Sequence, residues 1–185
     1  MTKKIFIIGA LAILSCKERP KKETAEISVQ QSGSAVYDDE KKEADEAHNW
    51  LETHIENYFA GDLGNLDKMM KDMTTKDYYD YKSDAMNVDM DVDGSLTKKE
   101  FEQKWKAKFD TSKAGVGTGF LITGQDWDSI KVVKCQLISQ KGEEFLFDVI
   151  LSDASHQLSY PIKVKVIKEN NEFLIADVLQ EDIQP

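Results

Sequence analysis

Hydrophobic positions recur every three or four residues through the first half of the chain and every second residue through much of the rest. Ala47, Trp50, Leu51, His54, Ile55, Tyr58 and Phe59 fall on one face of a helix, and Gly61 is placed to end it. Leu66, Met69, Met70 and Met73 predict a second, short helix. Thr74 or Thr75 can cap a third, which carries Tyr78, Tyr79 and Tyr81 and runs on through Ala85 and Val88. Phe101, Trp105 and Phe109 recur at i, i+4 and i+8, and Thr97 with Glu100 reads as a capping box opening that helix. After Gly115, Gly117 and Gly119 the period shortens. Strands are predicted over 120–123, 130–138, 144–151, 159–167 and 173–179. Alternation is clearest in Tyr160, Ile162, Val164 and Val166, with Lys163 and Lys165 turned to water. Lys141-Gly142 and Glu169-Asn170-Asn171 supply turns. Helices first and a mostly antiparallel sheet afterwards is an α+β order.

The segment between the third and fourth helices carries the sharpest chemical motif. Asp89, Asp91 and Asp93, then Gly94, Ser95, Thr97 and Glu100, have the spacing of an EF-hand calcium loop. A hard cation needs a shell of oxygens. Three early carboxylates, the Ser95 carbonyl, the Thr97 hydroxyl or a water it holds, and both Glu100 oxygens would supply one for Ca2+. Gly94 makes a turn that a Cβ would strain. The acidic runs Asp38-Asp39-Glu40 and Glu181-Asp182 lack this alternation, so the loop is solitary and reads as a structural clip rather than a switch. A solvated Asp-rich turn between two helices is the plainer alternative.

The chain opens with Lys3 and Lys4, an apolar run over 5–14, and Ile13-Leu14-Ser15-Cys16. This resembles a bacterial lipoprotein signal, and an ordinary signal peptide with an incidental cysteine is the alternative. The resemblance implies removal of residues 1–15 and a lipid on Cys16 that tethers the protein to the membrane of the cell envelope, with the outer membrane as its destination. Residues 16–37, rich in Lys, Glu, Gln and Ser, read as a flexible tether, leaving 38–185 as one domain. If Cys16 is acylated, Cys135 is the only free thiol, and its alternating surroundings make it a small core residue.

The formal charge is −10, and loss of Lys3 and Lys4 with the leader takes it to −12. Such a surface repels nucleic acid, and the basic residues form no compensating cluster. The methionines of the second helix read as core filler. Gly115-Val116-Gly117-Thr118-Gly119 leads into a predicted strand and lacks the Gly-Lys-Ser/Thr of a phosphate loop. His48, His54 and His156 form no constellation with Ser or Asp at diagnostic spacing, and Asp126, Asp148, Asp177 and Tyr160 read as sheet or turn residues. The chain therefore reads as non-catalytic.

Two segments carry a wider resemblance. Phe120-Leu121-Ile122-Thr123-Gly124-Gln125-Asp126-Trp127, and the closing Ile162-Lys163-Val164-Lys165-Val166-Ile167 with Phe173-Leu174-Ile175-Ala176-Asp177-Val178, resemble secreted bacterial lipoproteins of the NTF2-like superfamily. The likeness spans about residues 45 to 180 and implies N-terminal helices packed into the concave face of a strongly bent sheet. With the Asp89–Glu100 loop and the leader, the chain reads either as a calcium-binding, lipid-anchored binding or scaffold module or as a calcium-independent one, with a hydrolase or isomerase, which the superfamily includes, as a third reading. The second type would take a small apolar ligand or cap a protein partner as an immunity-type inhibitor. An apolar pocket near Trp127 and Tyr160 would favour the ligand, and an exposed apolar patch the partner.

Overall fold

The computed structural model describes residues 32–124 and 126–180. The leader, Cys16, most of the expected tether, Gln125 and the Glu181-Asp182 pair lie outside them. Four helices precede the sheet: α1 Ser32–Ala60, α2 Leu66–Met73, α3 Lys76–Met86 and α4 Lys98–Trp105. On α1 the buried positions Ala44, Ala47, Leu51, Ile55, Tyr58 and Phe59 repeat at three and four, so one face enters the core. Thr75 caps α3 by accepting from the Tyr78 amide at 3.2 Å. Thr97 and Glu100 form the capping box of α4. Phe109 lies beyond the end of α4 but still stacks on Tyr81, with ring centroids 4.2 Å apart, so its apolar spacing marks a packing partner rather than a longer helix.

The strands β1 Ile130–Lys141, β2 Glu144–Asp153, β3 Leu158–Glu169 and β4 Glu172–Gln180 form an antiparallel meander in sequence order. Asn170 and Asn171 both adopt positive φ between the paired residues Glu169 and Glu172, which gives a hairpin turn whose twist matches its strands. Phe145, Phe147, Val149 and Leu151 of β2 and Tyr160, Ile162, Val164 and Val166 of β3 are buried on the face covered by the helices. Period-two burial is what a sheet with one wet side requires.

The architecture is α+β, but the NTF2-like expectation is corrected. The sheet is an unclosed four-stranded meander with β1 and β4 as its edges, not a strongly bent sheet wrapped around helices. Segment 120–123 is not a strand. Phe120, Leu121 and Ile122 are buried in irregular chain, and the Gln180 side chain donates to the Gly119 and Phe120 carbonyls at 3.1 and 3.3 Å. Three consecutive apolar residues show burial but no period, so such a run cannot distinguish a strand from a plug.

Both sheet edges meet the helical half. Against β1, the Val132 amide donates to Glu56 of α1 at 3.2 Å, and His48 Nε2 lies 3.0 Å from the Cys135 carbonyl. Against β4, the Thr75 amide donates to the Ile175 carbonyl at 2.9 Å. Between the layers, Lys82 of α3 is wholly buried, and its ammonium donates to the Ala114 and Gly115 carbonyls and to Gln180 Oε1 at 2.7, 3.1 and 3.2 Å. Its three donors thus find three neutral acceptors, and burial pulls its pKa down to about 7.

Candidate functional site

Residues 87–97 connect α3 to α4, but segment 89–100 is not organised as an EF-hand loop. Asp89 takes a left-handed φ of 56° and donates its amide to the Leu96 carbonyl at 2.9 Å. The Ser95 hydroxyl donates to the Asn87 carbonyl at 2.5 Å. Glu100 turns back onto Thr97, where its Oε2 accepts from the hydroxyl at 2.7 Å and from the amide at 2.9 Å. Those bonds, the hydroxyl's first, hold the Glu100 carboxyl below its ordinary pKa. Among the described residues, the one group of three or more His, Cys, Asp and Glu side chains with mutually close ligand atoms is His48, Glu52 and Cys135. Asp89, Asp91, Asp93 and Glu100 are not brought together, and a nitrogen, carboxylate and sulfur set is not the oxygen shell of Ca2+. The calcium expectation is corrected on that finding. Spacing gave Glu100 two readings, distal ligand and capping partner, and in the fold it closes the helix.

Removing the cap therefore has a definite cost. Thr97→Ala should destabilise the domain by about 1 kcal/mol in urea unfolding, while Glu100→Gln, which retains a capping side chain, should cost less than half of that.

A concave apolar site forms elsewhere, at the end of α1. Tyr58 and Phe59 supply one wall, Leu66 and Met70 of α2 a second, and Phe120 with Trp127 from the irregular segment a third. The cavity is about 270 Å³. Its aromatic walls are fixed by edge contacts: Tyr58 on Phe120 at 5.3 Å and Phe59 on Trp127 at 5.4 Å between centroids. Trp127 Nε1 points to the Phe59 carbonyl at 3.4 Å, which orients the indole. Gly124 lets the chain cross Tyr160 closely, since a Cβ there would lie 2.6 Å from the Tyr160 hydroxyl. Asp67 brings the one charge to the lining, and its carboxylate accepts from the Tyr79 hydroxyl at 2.9 Å. Burial, and then the charge of Asp67, pushes the Tyr58 phenol up to about 12, so it remains a neutral donor.

Among the other ionisable groups, Asp148, Asp153 and His156 have local partners. Asp148 pairs with Lys134 at 2.5 Å. Asp177 is raised to about 6, chiefly by burial. Asp153 accepts from the Asp128 amide at 2.9 Å and lies 3.0 Å from His156 Nδ1, and these bonds, the first above all, hold it down to about 2. Ser155 adjoins His156 but donates its hydroxyl to Asp128 at 2.5 Å, so this Ser, His and Asp trio ties the β2–β3 turn. Burial pushes the Cys135 thiol up to about 12, with Glu52 adding to it, which opposes nucleophilic use.

The pocket was only partly visible in the sequence. Of the two residues the sequence sets beside a pocket, Trp127 lines it and Tyr160 does not, whereas Leu66 and Met70 read as core because a helical apolar stripe does not reveal which of its residues line a void. No protein-family model, curated protein or solved structure matches the chain.

Proposed function

We propose that this protein is a calcium-independent, non-catalytic binding module whose pocket holds a small, largely apolar ligand. The observation that carries this reading is the 270 Å³ cavity walled by Tyr58, Phe59, Leu66, Met70, Phe120 and Trp127. Ligand sites are typically concave and apolar with few polar groups, and this volume suits a ligand of about ten non-hydrogen atoms. Aromatic walls give contact area at low entropic cost, and the neutral Tyr58 phenol and the Asp67 carboxylate offer orientation. Presentation at the bacterial cell envelope through a lipid on Cys16 belongs to the same proposal and rests on the N-terminal sequence alone.

Exposed Val133, Leu137 and Ile138 of β1 favour a second reading, a protein partner meeting that strand. The pocket carries the first because its walls converge, whereas these side chains are exposed singly along β1.

Titration with indole and with 1-octanol, followed by calorimetry, should show one saturable site. Leu66→Trp, which fills the cavity, should abolish the signal while far-ultraviolet circular dichroism stays unchanged. Failure of both probes to saturate, or saturation unchanged in the filled variant, overturns the reading.

A further inference from the structure

His48 and Glu52 stand one turn apart on α1, and Cys135 lies below them on β1. The register places Cys135 opposite Val149, and Val149 opposite Ile162, both buried, so the Cys135 side chain belongs to the helix-covered face. His48 Nε2 is 3.5 Å from Glu52 Oε1, and one ligand atom from each of the three residues lies within 4.8 Å of the other two. The imidazole leans on Phe147 at 6.2 Å between centroids, which limits its swing. About a third of the His48 and Glu52 side chains remains accessible, at 34% and 38%, so an ion has a way in from solvent.

We propose that His48, Glu52 and Cys135 form a site for a borderline-soft divalent cation, with Zn2+ as the best fit and water at the fourth position. Imidazole, carboxylate and thiolate together suit zinc, whereas calcium and magnesium take oxygen alone. Metal–ligand bonds of about 2.0–2.3 Å place ligand atoms roughly 3.3–3.8 Å apart in a tetrahedron, so the widest separation closes by about 1 Å. The His48–Glu52 distance is already in that range. Two local changes complete the site. Cys135 gives its thiol proton to solvent as the sulfur–zinc bond forms, and the Nε2 proton of His48 passes through solvent to Nδ1 as Nε2 leaves the Cys135 carbonyl. The ion would then bridge α1 to the edge strand.

A purely structural origin exists for the same residues. His48, Glu52 and Glu56 run down α1 at i, i+4 and i+8, and two of them satisfy backbone groups of β1. The test must therefore read the sulfur bond itself. The full chain carrying Cys16→Ser, so that Cys135 is its one thiol, is titrated with Co2+ and then with Zn2+. The expected result is one equivalent of Co2+, a near-ultraviolet thiolate-to-cobalt charge-transfer band, and displacement of that band by one equivalent of Zn2+. Adding Cys135→Ser should remove the band, and His48→Gln, which can still donate to the Cys135 carbonyl, should weaken zinc binding by at least about tenfold. Circular dichroism checks the fold of each, and Glu52→Gln, at a half-buried position, provides a third reading of affinity if the serine variant misfolds. Absence of the band, its persistence without the Cys135 sulfur, or zinc affinity unchanged in His48→Gln and Glu52→Gln overturns the site. None of these outcomes depends on the apolar pocket, whose probes bind or fail independently.

Discussion

The melting temperature of the domain should rise by about 5 °C between pH 7 and pH 9, and the rise should be absent from Lys82→Met. Lys82 is wholly enclosed, its partners are neutral, and burial pulls its pKa from 10.5 to about 7. A lysine with a lowered folded pKa costs most below that value, where it must stay charged inside. Between the folded and unfolded values the unfolded chain binds the extra proton, so stability grows with pH. Over these two pH units the gain is roughly 2 kcal/mol, which corresponds to the stated shift for a domain of this size. The window closes near pH 9, because Cys135 and Tyr58, each raised to about 12, then bind protons that the unfolded chain releases, and stability falls. His156, raised by its bond to Asp153, contributes stability that is lost as pH rises through its folded pKa, and it acts against the trend. The difference between wild type and Lys82→Met removes these shared contributions. Parallel profiles for the two proteins would show that the lysine is not the source.

Gly115→Ala should cost about 3–5 kcal/mol, far more than Gly117→Ala. Both glycines have left-handed φ, 59° and 72°, where a Cβ costs roughly 1–2 kcal/mol by itself. At Gly117 the added carbon meets nothing within 4 Å. At Gly115 it would sit 1.4 Å from Gln180 Oε1 and 2.6 Å from Thr118 Oγ1. Gln180 cannot simply swing aside, since Lys82 and Thr118 hold its oxygen and the Gly119 and Phe120 carbonyls hold its nitrogen. Displacing it leaves buried polar groups without partners, each worth about 1–3 kcal/mol. Urea unfolding of the two variants decides the matter, and equal losses would mean that the glutamine node is soft.

Local pattern reached the helices and four of the strands because their period is written in neighbouring residues. Ala47, Leu51, Ile55 and Tyr58 face inward as their spacing dictates, and so do Tyr160, Ile162, Val164 and Val166. What failed depended on contacts distant in sequence or on which of two local readings the fold selects. Asp89 to Glu100 have ligand spacing, yet Glu100 found Thr97 nearer than any shared centre. Segment 120–123 looked like a strand because its apolar content was real and its hydrogen-bond partner, Gln180, lies about sixty residues away. His48 and Glu52 share a helix face by a spacing open to inspection, but Cys135 joins them only because α1 crosses β1 over 87 residues of sequence. The local half of the His-Glu-Cys cluster was legible, and the tertiary half was not.

Gln180 closes β4 and reaches back 98 residues to Lys82. A chain emerging from the ribosome therefore makes all four helices and three strands before it can supply the acceptor that completes the lysine's shell. Until β4 is laid against Ile162 to Lys168, Lys82 can keep its ammonium in water only by leaving the helical layer open. The lysine's shell thus closes only with the last strand, so the helical half cannot be finished ahead of its sheet.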